Sequence, residues 1–198
     1  MMPSKSQWDT VCEALNTDKV VILPTETVYG LAAKANSKLG VERIYEIKGR
    51  DFDKPLAVCV RDVEQAEQLA NFDDLARDLA RQYWPGSLTI VLNASDDVQL
   101  NPRALGSVNG TRTIALRCPD ADWVEYLNFP IALTSANKSG EPDSVKYSQA
   151  LASVGDHVAA GMAATGPLSG APSTIVRIAE GRMTILRQGE LKLSGDDK

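Results

Sequence analysis

Hydrophobic and polar positions follow two rhythms along the chain, and each predicts a kind of element. Trp8, Val11, Cys12 and Leu15 recur at helical spacing behind Ser6, a residue suited to capping a first helix. Residues 19–23, Lys19 followed by the apolar run Val20-Val21-Ile22-Leu23 and ended by Pro24, have the pattern of a short buried strand. No element is assigned to 25–36. A helix fits 38–49, with Val41, Ile44, Tyr45 and Lys48 along one side, and 55–60 reads as a strand. Helices are predicted near 62–70 and 73–83, the second ending at Trp84-Pro85-Gly86, followed by strands at 88–92 and 113–117. A helix near 120–128 precedes a strand at 130–134, and 145–153 is again helical. Strands at 173–178 and 183–187 flank Glu180-Gly181-Arg182, which is a hairpin signal. Helices interleaved with strands, plus one antiparallel hairpin, predict an α/β protein with a twisted mixed sheet and flanking helices. Strand order does not follow from the pattern.

No repeat, low-complexity tract or Pro/Gly-rich linker divides the 198 residues, so one domain over 1–198 is expected, with its core at about 7–190 and loose ends. Composition is that of an ordinary globular protein, 43% hydrophobic and 24% charged. Nothing approaches the roughly 20 apolar residues of a membrane span, and the first residues lack the apolar stretch of a signal peptide. A cytoplasmic protein with no membrane partner is expected. Cys12, Cys59 and Cys118 are odd in number and lack C-x-x-C spacing, which suits buried, reduced thiols rather than a zinc site. The sole histidine, His157, lies in an apolar run and reads as a strand residue with a satisfied ring. The net charge of −5 argues against a surface that is basic throughout, so anion binding has to come from particular residues.

No Walker A loop, G-x-G-x-x-G, H-E-x-x-H or G-x-S-x-G signature is present. Four other segments gather polar chemistry. Pro24-Thr25-Glu26-Thr27-Val28-Tyr29-Gly30-Leu31 follows a predicted buried strand, and ligands collect at strand ends in α/β sheets. The same string is equally compatible with a turn closed by side-chain caps. Lys48-Gly49-Arg50 with Lys54-Pro55 can grip an anion or simply complement a helix terminus. The loops at Ser135-Ala136-Asn137-Lys138-Ser139-Gly140 and at 166–174 are small and polar, suited to close backbone approach by a phosphate or to plain turns. Arg117 and Arg187 sit at strand ends, where each is either a rim ion pair or an anion ligand. These residues alone point to a phosphorylated small molecule and name no reaction.

At these same positions, from about Val20 to Gly189, the chain resembles the YrdC/TsaC family of L-threonylcarbamoyladenylate synthases. The resemblance is carried by the first two of these segments, with Leu56, by the loop at 135–140, and by Pro85-Gly86-Ser87-Leu88-Thr89, Arg117-Cys118-Pro119, Pro172-Ser173-Thr174-Ile175-Val176 and Arg187-Gln188-Gly189, in an ordered series. It implies a twisted open sheet around a deep basic cavity. It also implies a nucleotidyl transfer in which L-threonine, bicarbonate and ATP give threonylcarbamoyl-AMP and pyrophosphate, the first step of threonylcarbamoyladenosine formation in tRNA. Carried over residue by residue, Lys48, Arg50, Lys54, Thr113, Ser135, Asn137 and Arg187 face ATP, with Lys48 and Arg50 catalytic. Thr27, Tyr29, Arg117 and Ser173 surround the threonine, with Arg117 expected to hold its carboxylate as a bidentate fork. Magnesium is expected to arrive with ATP rather than in a protein-held cage.

Two positions depart from the family pattern. Asp51 stands where many relatives carry proline, and Cys59 where some place histidine. The short length resembles the single-domain branch without a C-terminal extension. Implied partners are a downstream tRNA threonylcarbamoyl transferase complex and tRNA or double-stranded RNA. The competing readings are a non-enzymatic RNA-binding factor for ribosome (rRNA) maturation, or another carbamoyl- or adenylyl-transfer enzyme on the same fold.

Overall fold

The computed structural model describes residues 5–193. The elements run α1 (Lys5–Asn16), β1 (Val21–Pro24), β2 (Tyr29–Lys34), α2 (Lys38–Lys48), β3 (Ala57–Cys59), α3 (Val63–Glu67), α4 (Asp74–Tyr83), β4 (Leu88–Asn93), β5 (Gly106–Val108), β6 (Thr111–Arg117), β7 (Ile131–Ser135), α5 (Tyr147–Val154), β8 (Ala160–Gly161), β9 (Thr174–Ala179) and β10 (Arg182–Arg187). The helix boundaries have local causes. Ser37 caps α2 by accepting from the Gly40 amide at 2.8 Å, and Gly49, left-handed at φ 58°, stops it. Asp62 and Asp73 cap α3 and α4 by accepting from the Gln65 and Ala76 amides.

The strands form one mixed sheet in the order β10-β9-β4-β6-β3-β7-β2-β1-β8, with β5 paired to β6. Three pairs are parallel (β3 with β6, β4 with β9, β1 with β8), and the others are antiparallel. Helix α1 lies against β1, β2 and β8, α2 against β2, and α4 against β4. The two-residue strand period sorts the sheet's side chains onto opposite faces. Ala57 and Cys59, Ala115 and Arg117, and Leu133 and Ser135 share one face, whereas Val58, Leu116 and Ala132 take the other and are fully buried.

The mixed α/β class and the predicted 173–187 hairpin match the structure, but several expectations need correction. Ser6 lies inside α1, which already includes Lys5, so it is not the cap. The helix expected near 120–128 is only a 3-10 turn at Val124–Tyr126. There Trp123 is drawn into the core, its indole N–H donating to the Pro24 carbonyl at 2.7 Å and its ring stacking on Trp8, which fixes the segment irregularly. His157 is exposed in a 3-10 turn, Gly155–His157, rather than set in a strand. Strand β2 falls in the unassigned 25–36 segment. Its Tyr-Gly-Leu-Ala-Ala-Lys lacks β-branched residues, and pairing on both sides, with β1 and β7, supplies what propensity does not. The β5–β6 hairpin was also missed, although Asn109-Gly110, at φ 51° and 80°, is a two-residue turn signal. The expected loose ends at 1–4 and 194–198 lie outside the described residues.

Past β10 the chain turns back onto the start of β9. Gly189 donates to the Thr174 hydroxyl at 2.8 Å, and that hydroxyl donates to the Leu191 carbonyl. A Cβ on Gly189 would collide with the Pro172 carbonyl oxygen and the Ser173 backbone. Gly189→Ala should therefore cost about 1–3 kcal/mol of stability, a fall of roughly 2–12 °C in melting temperature for a domain of this size. Calorimetry showing an unchanged transition would refute this close approach.

Candidate active site

The shared face of β3, β6 and β7 forms the floor of a cavity of about 250 Å³. Its walls bring together Thr27, Arg50, Arg117, Ser135, Ser173 and Arg187 from six separate stretches of chain. A second hollow of about 330 Å³ adjoins it, lined by Lys48, Arg50, Lys54, Ser135 and Asn137. The two share Arg50, Ser135 and Asp143. A larger hollow of about 590 Å³ near Phe52 and Arg103 holds none of the predicted site residues.

Arg117 is the most tightly held cation of the group. Its Nη2 donates to Glu26 Oε1 at 2.6 Å and to Thr27 Oγ1 at 3.0 Å, and its Nε donates to the Gly86 carbonyl at 3.3 Å. Thr27 is buried, and its hydroxyl also shares a 2.8 Å hydrogen bond with that of Thr25. Arg187 donates through Nε and Nη2 to the Ser173 carbonyl, and Nη2 also reaches Ser173 Oγ, which in turn meets Thr89 Oγ1 at 2.9 Å. Burial lowers the pKa of Arg187; the nearby Arg117 cation acts in the same direction and Asp143 opposes both. Arg50 donates to the carbonyls of Lys54 and Pro55.

Lys48 takes a different position from the expected phosphate grip. Its ammonium is buried and donates to the Ser135 carbonyl at 2.6 Å, the Asn137 carbonyl at 2.7 Å and Asn137 Oδ1 at 2.8 Å. All three N–H groups are thus committed to the 135–140 loop. The Ser139 amide returns the contact by donating to the Lys48 carbonyl at 2.8 Å. Burial is the largest influence on this ammonium and brings its pKa down to about 8; the Arg50 cation acts in the same direction, while Asp143 and Glu141 oppose it. Lys54 is exposed and paired with Asp51 at 2.8 Å, so the departure at Asp51 supplies a carboxylate to the rim.

Two residues expected in the site lie outside both cavities. Tyr29 is buried, its hydroxyl accepting from the Ala164 amide at 2.8 Å and its ring set against Tyr147. Thr113 is buried on β6, closed over by Gly106 of β5, where any Cβ would come within 2.9 Å of its hydroxyl. Cys59 does line the cavity, but burial pushes its thiol up to about 12, which leaves it neutral and poorly nucleophilic. Sequence reasoning gave no role to Glu26, Thr89 or Asp143. Glu26 and Thr89 lie inside recognised motifs, whereas Asp143 carries only the weak signal of an acid just beyond Gly140. Among the described residues, no group of three or more His, Cys, Asp or Glu side chains could hold a metal ion, and no helix is long and apolar enough to cross a membrane.

An open mixed sheet carrying convergent arginines and hydroxyls defines an α/β protein with a basic, polar cavity, and comparison with known proteins makes the class specific. The Sua5/YciO/YrdC family model, described as "Telomere recombination", matches residues 13–189, and the chain belongs to that family. A Bacillus subtilis protein named threonylcarbamoyl-AMP synthase is 39% identical over 88% of this chain and 51% of its own length. A Mycobacterium tuberculosis relative named putative threonylcarbamoyl-AMP synthase is 36% identical, over 89% of this chain and 81% of its own. The structure of Pyrococcus abyssi Sua5 complexed with L-threonine superimposes with a TM-score of 0.82 at 34% identity, covering 92% of this chain and 54% of that one. The chain therefore spans about half the length of the Bacillus and Pyrococcus relatives.

Lys48 should titrate within the folded protein. Below pH 8 its ammonium offers three N–H donors to the loop; above it, the amine keeps two. The amide resonances of 136–140, Ser139 foremost, should shift with a midpoint near pH 8 in an NMR titration. A midpoint above 10 would show that the ammonium is not buried as described.

Proposed function

We propose that the chain is an L-threonylcarbamoyladenylate synthase, joining L-threonine, bicarbonate and ATP into threonylcarbamoyl-AMP with release of pyrophosphate and water. The observation that carries this reading is the pair of adjoining cavities meeting at Arg50, Ser135 and Asp143. An amino acid at the Arg117 end would lie beside a nucleotide whose phosphates reach Arg50 and Arg187. The names of the bacterial relatives and the threonine complex of the Pyrococcus structure support the same reading.

In this scheme the threonine amine takes up carbon dioxide with loss of a proton, or bicarbonate with loss of water, to give a carbamate. A carbamate oxygen attacks the α-phosphorus of ATP, and pyrophosphate leaves in line. No covalent protein nucleophile is required, so positioning and charge carry the catalysis; orientation alone can supply about 7–11 kcal/mol. Arg117, Thr27 and Ser173 hold the amino acid, and Arg50 and Arg187 hold phosphate. Lys48 acts through the 135–140 loop, setting Ser135 and Asn137 for the nucleotide. Magnesium accompanies ATP, since it commonly needs only one or two protein carboxylates besides phosphate oxygens; Asp143 is the carboxylate that lines both cavities.

The proposed setting is the cytoplasm, with a tRNA threonylcarbamoyl transferase complex as the consumer of the product. The reading as an RNA-binding maturation factor is not favoured, because Arg50, Arg117 and Arg187 converge in a small cavity rather than spreading over a face.

Purified protein given ATP, magnesium and bicarbonate should release pyrophosphate only when L-threonine is added, with the adenylate identified by mass spectrometry. Release that is independent of threonine, or equal with serine, would sink the assignment. Arg50→Ala should lower turnover by about 10²–10³, as expected for a lost transition-state donor. Arg117→Ala should raise the threonine KM more than it lowers kcat, and an unchanged KM would move the amino acid elsewhere.

A further inference from the structure

The three arginines of the central cavity are not electrically equivalent. Arg50 and Arg187 donate only to neutral acceptors: the carbonyls of Lys54 and Pro55 for the first, the carbonyl and hydroxyl of Ser173 for the second. Asp51 and Asp143 lie within electrostatic reach of them, yet neither arginine has a carboxylate within ion-pair distance among the described residues. Arg117 differs. Its side chain is only 7% exposed, and Glu26 Oε1 meets its Nη2 at 2.6 Å. The ion pair is largely withdrawn from water, so its two charges are coupled more strongly than they would be in bulk solvent.

The pairing also limits how Arg117 can bind. Both N–H groups of Nη2 are taken by Glu26 and Thr27, and Nε by Gly86, which leaves the two N–H groups of Nη1. The bidentate fork expected from the sequence would need Glu26 or Thr27 to be displaced. A carboxylate can still be met at Nη1. A phosphate, carrying more charge and suited to a full fork, finds a neutralised partner here and unneutralised ones at Arg50 and Arg187. Glu26 Oε2 is buried without a hydrogen-bond partner, an acceptor that a second anion, itself rich in acceptors, cannot satisfy.

We infer that Glu26 is the positioning residue that sorts the two anions of this cavity: by neutralising and orienting Arg117, it keeps phosphate groups out of the amino-acid end. This rests on the function proposed above for the identity of the amino acid, but the exclusion of phosphate can be tested without it. A site that must hold a singly charged carboxylate beside a triphosphate otherwise faces misplacement of the nucleotide into the amino-acid end, and Glu26 prevents it through Arg117.

The test uses inorganic phosphate as the probe, with calorimetric binding and competition. In the unaltered protein, phosphate should displace nucleotide but leave threonine binding unchanged. Glu26→Gln keeps the size and an oxygen acceptor for Arg117 while removing the charge. It should bind phosphate about tenfold or more tightly and make phosphate competitive with threonine. Glu26→Asp, which keeps the charge, should retain the exclusion. Asp51→Asn removes an exposed carboxylate at the rim and should change phosphate binding far less than Glu26→Gln, without creating competition against threonine.

The proposal is overturned if Glu26→Gln stays folded and leaves phosphate binding unchanged, or if Asp51→Asn produces the same competition. It is equally overturned if phosphate displaces threonine from the unaltered protein as readily as it displaces nucleotide, a comparison that requires no variant to fold. Absence of threonine binding in every form would refute the amino-acid assignment instead, while the phosphate affinities of the unaltered protein and Glu26→Gln would still decide whether Glu26 guards Arg117.

Discussion

One ammonium group ties the two halves of the site together. Lys48 ends α2, and its three N–H groups reach the end of β7 and the following loop, at Ser135 and Asn137. Ser139 answers through its amide, so helix end and loop grip one another by both side chain and backbone. Asn137 is then held further by the Glu141 carbonyl and the Asp143 carboxylate. The geometry of the second cavity follows from this knot, because its walls are the same residues. A buried cation left with fewer acceptors would be costly; the loop is therefore constrained to keep its carbonyls turned inward, leaving its outer edge to any ligand.

The sheet supplies the other constraint. Because alternate residues face opposite ways, the cavity face can carry Arg117, Ser135 and Cys59 while the fully buried Leu116, Ala132 and Val58 take the opposite face. Charge is thus placed on a face without interrupting the apolar layer beneath. The 166–170 loop is tied to the segment after β1 by backbone bonds, with Ser169 donating to the Glu26 carbonyl and Gly170 to the Thr27 carbonyl. That segment is consequently fixed on both sides: its side chains hold Arg117, and its carbonyls hold the 166–170 loop.

Much of this frame was legible in the sequence, and what was not has identifiable physical causes. The helix expected at 38–49 announced itself through Val41, Ile44, Tyr45 and Lys48 along one side, and the last hairpin through Glu180-Gly181-Arg182. Strand β2 did not, because its small residues owe their strand conformation to neighbours far away in the chain. Nor did the turn at 124–126, where the tertiary anchoring of Trp123 prevails over local preference. In the candidate site, the strings that resemble the family marked the residues that converge, and the convergence itself could be read only in three dimensions. Lys48 shows the limit most clearly. Sequence places a cation beside an anion-binding loop, but only burial and three short bonds reveal that the cation is spent on the loop itself. Tyr29 and Thr113 show the same limit, since a motif residue can serve the wall behind a cavity as well as the cavity.

The departure at Cys59 fits the same physical picture. Its neighbours on the cavity face are arginines and hydroxyls, and a titrating group among them would vary the local charge with pH. A thiol held neutral by burial contributes volume and a weakly polar surface instead. Asp51 is the opposite case: it stands at the rim, exposed, and pairs with Lys54, where screening by water keeps the interaction small. One departure lies where charge would matter most and introduces none; the other introduces a charge where solvent blunts it. On the proposed reading, both leave the division between Arg117 at one end and Arg50 with Arg187 at the other intact, and that division is what a reaction joining an amino acid to a nucleotide requires of a cavity this small.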